Sequence, residues 1–287
     1  MTNTDGNIRT LDWLHGEIES NPAQGAEKAA RSLADDIMET ADKIAEDTEA
    51  VISRIHAEAE SATVKLTQET AKAVETLKKD SALAASNLIR DAKGGGNEKE
   101  NAIAAGRVIK EAEKNLAQLN KKAENTLKAL AEEAETTAFK FNRIVEAEDR
   151  KLADAERDAA KKVADAGKQA AANFPMPVEG ETRNGDERQK AQLASAEVIK
   201  ALALAADRVH RATTEAVRKI QEASDEAALT MKKATAKATA LIHDAIDEAN
   251  EHILQATTQA LTSVAGEEEA EFFDLGPLKE KWGKRQT

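Results

Sequence analysis

The chain has 287 residues, a formal net charge of −12 and no cysteine, and charged residues make up 33% of it. It contains five phenylalanines, two tryptophans and no tyrosine, which is too few large aromatic side chains for a deep globular core. The lack of cysteine excludes disulfides and thiolate metal sites. The net negative charge argues against nucleic acid and against an anionic membrane surface as binding partners, because both attract basic patches.

The first 21 residues combine a polar start with a short amphipathic stretch that includes Trp13. They lack the basic and apolar regions of a signal peptide. Nowhere in the chain does an apolar run approach the roughly 20 residues that a membrane-spanning helix needs. We therefore expect a cytoplasmic protein without a transmembrane segment.

A first long helix is predicted over residues 22–93. Asn21 as N-cap, Pro22 at the first helical position and Gln24 two residues later form a typical helix start. Three glycines, Gly94–Gly96, end the helix because glycine holds helical backbone poorly. A first apolar column with a spacing of eleven residues runs along this helix: Leu33, Ile44, Ile55, Leu66, Leu77 and Leu88.

The second and third helices are predicted over residues 97–173 and 186–265, each starting with an Asn or Asp cap and a Glu or Gln three residues later. The prolines at 175 and 177 separate them. Each helix carries its own apolar column with the same spacing. The second column is Val108, Leu119, Leu130, Phe141, Leu152 and Val163. The third column is Val198, Val209, Ile220, Met231, Ile242, Ile253 and Val264.

Eleven residues make three turns at about 3.67 residues per turn, so each column stays nearly straight along its helix. Helices of this length measure about 105–120 Å. Similar lengths and short breaks predict an all-α fold, an elongated up-down-up bundle of three alanine-rich helices over residues 22–265. The three columns would then form the core seam. The alternative is one extended rod that pairs with another copy.

Residues 266–287 have a different character. Four glutamates within residues 267–271 precede apolar and basic residues, and Gly276-Pro277 prevents continuation of the helix. Exposed aromatic residues are favoured anchors for protein partners. The terminal residues predicted to dock a partner or a second copy are Trp13, Phe272, Phe273, Leu275, Leu278 and Trp282.

No catalytic motif, phosphate-binding glycine loop or cofactor motif is present in the sequence, so we predict a non-enzyme with no catalytic residue, no cofactor and no metal. Two helical pairs, Glu248 with His252 and His243 with Asp247, have spacing that could share a metal. The paired Glu-x-x-His motifs of di-iron bundles are missing. A solvated helix face explains these pairs better.

Two functions fit these features. The first is a structural or scaffolding protein, a rigid helical spacer whose aromatic termini mediate partner docking or self-assembly. The second is an amphipathic surface-binding or stress-protective protein, because the repeat class resembles that of exchangeable apolipoproteins, late-embryogenesis proteins and phasins. That resemblance rests on eleven-residue helical repeats rich in Ala, Lys, Glu and Thr, without a family-specific motif. A part of a secretion, phage or chemoreceptor-like machine is a third possibility.

The threonines at eleven-residue spacing also resemble those of helical ice-binding proteins. Charged residues surround them, and substitutions interrupt the pattern at Ala59 and Ile246. Small residues at the edge of a helix-packing seam explain the spacing better. The threonines and serines concerned are Thr48, Thr70, Ser81, Thr213, Ser224, Thr235 and Thr257.

Overall fold

A computed structural model describes residues 22–92, 98–173 and 185–265, and these form three α-helices. They are α1 (Pro22–Ala92), α2 (Glu98–Asn173) and α3 (Gly185–Ala265). The three ranges contain no strand, so the predicted all-helical bundle class is confirmed. The helix bounds lie within one residue of the predicted ones. The predicted N-terminal segment and C-terminal tail lie outside the described residues.

The chain divides into two compact units. The described residues within Met1–Ile55 and Thr137–Leu229 form unit 1. Those within His56–Thr136 and Thr230–Thr287 form unit 2. Every helix contributes one segment to each unit, so each unit is a three-helix assembly with its own core.

Unit 1 has two hydrophobic clusters, and both draw residues from all three helices. One cluster joins Ala26, Ala29 and Ile37 of α1 to residues 159–170 of α2 and 198–209 of α3. The other joins Ile44 of α1 to residues 141–152 of α2 and 216–223 of α3. Alanine and valine predominate in the first cluster. The second is built around Phe141, the largest fully buried side chain among the described residues.

Unit 2 contains a cluster where the end of α1 meets the start of α2. Ala85 and Leu88 pack there with residues 104–108 of α2 and with Ala260 and Leu261 of α3. Val264 is half-buried against the same cluster. Alanine side chains at such contacts add little bulk between neighbouring helices.

Residues of the three apolar columns are buried wherever a side chain is described, with one exception. Val264 is half-buried, and the side chain of Leu33 lies outside the described residues. Eight column residues are at most 1% exposed, and they come from all three helices. These residues are Leu66, Leu77, Val108, Leu119, Val163, Val198, Met231 and Ile242.

Several of the regularly spaced threonines and serines are buried beside the apolar columns. The hydroxyl of Thr48 donates a 2.6 Å hydrogen bond to the carbonyl oxygen of the column residue Ile44. Thr70 and Thr257 donate bonds of 2.8 Å to the carbonyl oxygens of Leu66 and Ile253 in the same way. A buried hydroxyl needs such a partner. These side chains therefore serve packing inside the protein and do not form an exposed ice-binding face.

The outer faces of the helices carry many ion pairs between residues three or four apart. Examples are Lys43 with Glu39 at 2.5 Å and Lys79 with Glu75 at 2.6 Å. Their hydrogen bonds lower the pKa of both glutamates below the usual value. Exposed pairs of this kind contribute little to stability because water and salt screen them. Stability therefore depends on the buried faces.

Two phenylalanines on α2 offer a matched test of the core. Phe141 is 2% exposed, whereas Phe139 is 64% exposed and has the guanidinium of Arg143 6.0 Å from its ring centroid. Phe141→Ala should lower the free energy of unfolding by about 3–5 kcal/mol, because it removes a buried ring and leaves a cavity. Phe139→Ala should cost less than about 1 kcal/mol.

Urea unfolding followed by far-ultraviolet circular dichroism measures both changes. Equal losses of unfolding free energy for the two variants would show that Phe141 is not part of the core.

Candidate functional site

The most specific chemistry in unit 2 is a polar contact between α2 and α3. Asn115 is only 3% exposed, and its Oδ1 lies 3.0 Å from Nδ1 of the half-buried His252. The Asn115 Nδ2 donates a 2.9 Å hydrogen bond to the backbone carbonyl of Glu111. Because the amide nitrogen of Asn115 is used in that bond, the atom facing His252 is the amide oxygen, which can only accept a hydrogen bond. His252 must therefore carry a proton on Nδ1 and donate it to Oδ1. The contact thus fixes both the amide orientation and the histidine tautomer.

Charged residues surround this pair. Lys122 of α2 donates a short hydrogen bond to Oε2 of Glu248, one helical turn before His252 on α3. That bond, followed by the attraction of the lysine charge, lowers the pKa of Glu248. The pKa of Glu111 is also lowered, first by its hydrogen bond with Lys114. Two carboxylates favoured in their ionised form therefore lie near His252.

A second polar contact joins α1 to α2 in unit 2. Asn101, in the first turns of α2, is 2% exposed, and its Nδ2 donates a 3.1 Å hydrogen bond to the carbonyl oxygen of Leu88 near the end of α1. Its Oδ1 is buried and has no hydrogen-bond partner in the described protein. A buried amide with one unpaired acceptor lowers stability. It does, however, tie these two helix ends together at a defined position.

Unit 1 contains a buried carboxylate between α2 and α3. Glu148 is 5% exposed, and Lys151 of its own helix lies 2.6 Å from the carboxylate. Lys219 of α3 lies 3.6 Å from the same oxygen and 3.1 Å from Glu215. The hydrogen bond with Glu215 is the main reason that the pKa of Lys219 is raised. A buried charge without partners would be costly, so Glu148 requires these lysines.

Open grooves lie between the helices of each unit. In unit 1 a groove of about 210 Å³ lies between α1 and α2, and one of about 490 Å³ lies between α1 and α3. In unit 2 a groove of about 380 Å³ lies between α2 and α3. We call the last one the lysine groove, because Lys233 and Lys237 line it. Its other lining residues are Thr126, Ala129, Leu130, Glu133, Thr230, Ala234, Ala238 and Leu241.

The two candidate metal pairs are placed differently by the structure. His252 is engaged with Asn115, and Glu248 with Lys122, so this pair is not simply a solvated surface. His243 is exposed, with Nε2 3.4 Å from Oε2 of Glu69. Within the described part of the chain, no three His, Asp or Glu side chains gather as metal ligands would.

The buried polar residues Asn115 and Glu148 of α2 were not identified from the sequence, although a signal for them exists. They belong to a further column on α2, four residues before each residue of the second apolar column. Four residues on a helix share a face, so these positions point toward the same core. The column is Ala104, Asn115, Thr126, Thr137, Glu148 and Ala159. Its members are buried except Thr126, which is half-buried.

The predicted docking residues have no described position. Trp13 and the tail residues Phe272, Phe273, Leu275, Leu278 and Trp282 lie outside the described residues. In the described helices, no segment is long and apolar enough to cross a membrane.

Comparisons with known proteins find no match: no family model, no curated protein and no solved structure is similar to this chain.

The contact between Asn115 and His252 can be measured with a double-mutant cycle. Asn115→Ala and His252→Ala should each lower the free energy of unfolding. The double variant should lose about 1 kcal/mol less than the sum of the two single losses, because both substitutions remove the same hydrogen bond. The same cycle on Glu69 and the exposed His243, which lie 3.4 Å apart, should give a coupling near zero. Equal coupling energies for the two pairs would contradict a special role for the buried contact.

Asp149 provides a pH-dependent test in unit 1. Burial raises its pKa above the ordinary 3.8, Glu146 raises it further, and its Oδ1 has no hydrogen-bond partner. A carboxyl with a raised pKa in the folded state binds more protons when folded. Its contribution to the free energy of unfolding therefore falls as the pH rises from 3.8, the ordinary pKa, through the raised pKa of the folded state.

Asp149→Asn should accordingly raise the melting temperature at neutral pH. The gain should vanish at about pH 3, where the aspartate of the parent protein is protonated in both the folded and the unfolded state. Thermal unfolding of the variant at both pH values measures the gain. Asp165→Asn, at an exposed position of the same helix, is the control and should show no such pH-dependent gain. A gain for Asp149→Asn that is as large at low pH as at neutral pH would rule out this explanation.

Proposed function

We propose that this protein is a structural scaffold, a rigid helical spacer whose aromatic terminal segments dock a partner or a second copy of the chain. One observation carries the proposal. Apart from the half-buried Val264 and from Leu33, whose side chain lies outside the described residues, the residues of all three apolar columns are buried, so they serve helix packing and are not free for a ligand. The polar contacts across helices, such as Asn115 with His252, add a preference for one alignment.

The proposal includes an up-down-up order of the helices, supported by the clusters within each unit. In unit 1, the cluster at Ala26 contains residues 159–170 of α2 and 198–209 of α3, and the cluster at Ile44 contains residues 141–152 of α2 and 216–223 of α3. Residue numbers therefore fall along α2 and rise along α3 in the direction of α1, which supports α2 antiparallel and α3 parallel to α1. In unit 2, Leu88 of α1 shares a cluster with Val108 of α2 and Leu261 of α3. In this order α3 ends beside the last turns of α1 and the first turns of α2 in unit 2. In unit 1, α1 begins beside the last turns of α2 and the early turns of α3.

The eleven-residue period is also part of the proposal. Burial of residues spaced by eleven in each helix supports nearly straight packing faces, since eleven residues fit three turns. A scaffold needs a stiff element of this kind to hold its two ends apart. A cytoplasmic location and the absence of catalysis remain predictions from the sequence.

The alternative function is binding to a lipid or other apolar surface. Some large side chains are exposed and would favour it, among them Phe139, Leu193 and Leu204. Burial of the column residues weighs against it, because an interfacial helix presents its main apolar face to the lipid. Circular dichroism in dilute buffer separates the two: the scaffold is fully helical without lipid, whereas a surface binder gains its helicity on adding vesicles.

The function of the tail can be tested by removing it. Deletion of residues 267–287 should abolish self-assembly or partner capture, while helix content stays the same because the three helices end before the tail. A variant with Phe272, Phe273 and Trp282 each replaced by serine keeps the tail's length and charge. It should lose assembly as well if the aromatic side chains are the anchors.

Light scattering coupled to size-exclusion chromatography gives the assembled mass, and circular dichroism gives the helix content. A loss of helicity on deletion would show that the tail belongs to the core. Unchanged mass and unchanged partner capture in both variants would remove the basis for a docking tail.

A further inference from the structure

The lysine groove of unit 2 combines an apolar floor with a basic edge. Leu130 and Ala238 are buried at its base, and Leu241 is 46% exposed at one side. Ala129 and Ala234 add no bulk where α2 and α3 meet, which leaves space for an inserted ring. The volume of about 380 Å³ is within the range of sites that accept large apolar groups.

Two exposed lysines give the groove a net positive charge. Lys233 and Lys237 lie one turn apart on α3, and the half-buried Glu133 is the only acidic residue that lines the groove among the described residues. An occupant that matches the groove would place an apolar or aromatic group on the floor and carboxylates beside the lysines.

The chain contains a segment with this chemistry. The tail places Glu267, Glu268, Glu269 and Glu271 directly before Phe272 and Phe273. Acidic residues followed by adjacent aromatic rings complement a basic edge beside an apolar floor. We propose that the segment 267–273 of one copy docks in the lysine groove of a second copy, an inference that rests on the proposed self-assembly through the tail.

Chain length decides in favour of a second copy. From Lys237 to the end of α3 at Ala265 the helix rises about 42 Å at 1.5 Å per residue. Even fully extended, the chain from Ala265 reaches at most about 22 Å at Glu271 and about 29 Å at Phe273. Neither residue can return to the groove of its own copy. A contact between unlike surfaces of two copies repeats from copy to copy and builds an open chain unless it closes into a ring.

The absence of cysteine permits a direct test by disulfide formation. A tagged full-length chain with Thr230→Cys, which places a cysteine in the lysine groove, is mixed with an untagged chain carrying Ala270→Cys. Under mild oxidation the two chains should form a disulfide-linked heterodimer. The control replaces Thr230→Cys by Thr213→Cys, at a half-buried threonine of unit 1 that does not line the lysine groove.

The Thr230→Cys mixture should form the heterodimer at least about tenfold faster than the control, because docking raises the effective concentration of the two thiols. Adding Lys233→Glu and Lys237→Glu to the Thr230→Cys chain should reduce the rate to that of the control. Adding Lys161→Glu and Lys168→Glu instead makes the same charge change at exposed positions of unit 1 and should leave the rate unchanged. Circular dichroism checks that every variant is folded.

Equal rates at positions 230 and 213, or no effect of the groove charge reversal, would overturn the proposed docking site. So would an intrachain disulfide formed at high dilution in a chain that carries both Thr230→Cys and Ala270→Cys. These outcomes are separable from failure of the scaffold function. If deletion of the tail abolishes assembly but the groove cysteine does not react preferentially, the tail docks elsewhere and the scaffold function stands. If deletion has no effect, self-assembly through the tail is itself wrong.

Discussion

Burial of one narrow apolar face on each helix is the interaction on which the rest of this structure depends. The column residues are large aliphatics for the most part, and many of the other buried residues are alanine, serine or threonine. This core is shallow, so few residues hold each layer together, and removal of one large side chain is costly. The charged outer faces keep the helices in water but contribute little to their association.

A core that repeats regularly permits more than one alignment of its helices, and the buried polar contacts favour one of them. Because each column repeats every eleven residues, sliding one helix past another by eleven positions would again match aliphatic with aliphatic. The contacts of Asn115 with His252 and of Glu148 with Lys219 occur once each, and a slip would break both. The buried Oδ1 of Asn115 would then lose His252, and Glu148 would keep only Lys151 of its own helix. Polar residues at single core positions are known to select one register in coiled coils. Here we infer the same purpose.

Much of the fold could be predicted from the sequence because its signals are local and repeated. Pro22 and the three glycines at 94–96 mark helix limits through backbone constraints, and the eleven-residue spacing identifies the buried faces. The polar core positions could not be recognised as readily, since asparagine and glutamate on a helix usually face water. Glu148 is buried beside two lysines, Lys151 of its own helix and Lys219 of α3, and the second of these is far away in sequence. The grooves form where side chains from two helices meet, and the residue pattern along one helix does not predict which residues of another helix lie opposite.

The separation of contacting residues along the chain has a consequence for how the protein reaches its native state. Asn101 and Leu88 are 13 residues apart, and closing so short a loop costs little entropy. In contrast, Arg54 bonds Ser224 across 170 residues, and Ile44 shares its cluster with Ile220. Contacts between distant residues form late and slow folding. We therefore expect the contact between the end of α1 and the start of α2 in unit 2 to form early, with the pairing of α1 and α3 in unit 1 as the slow step.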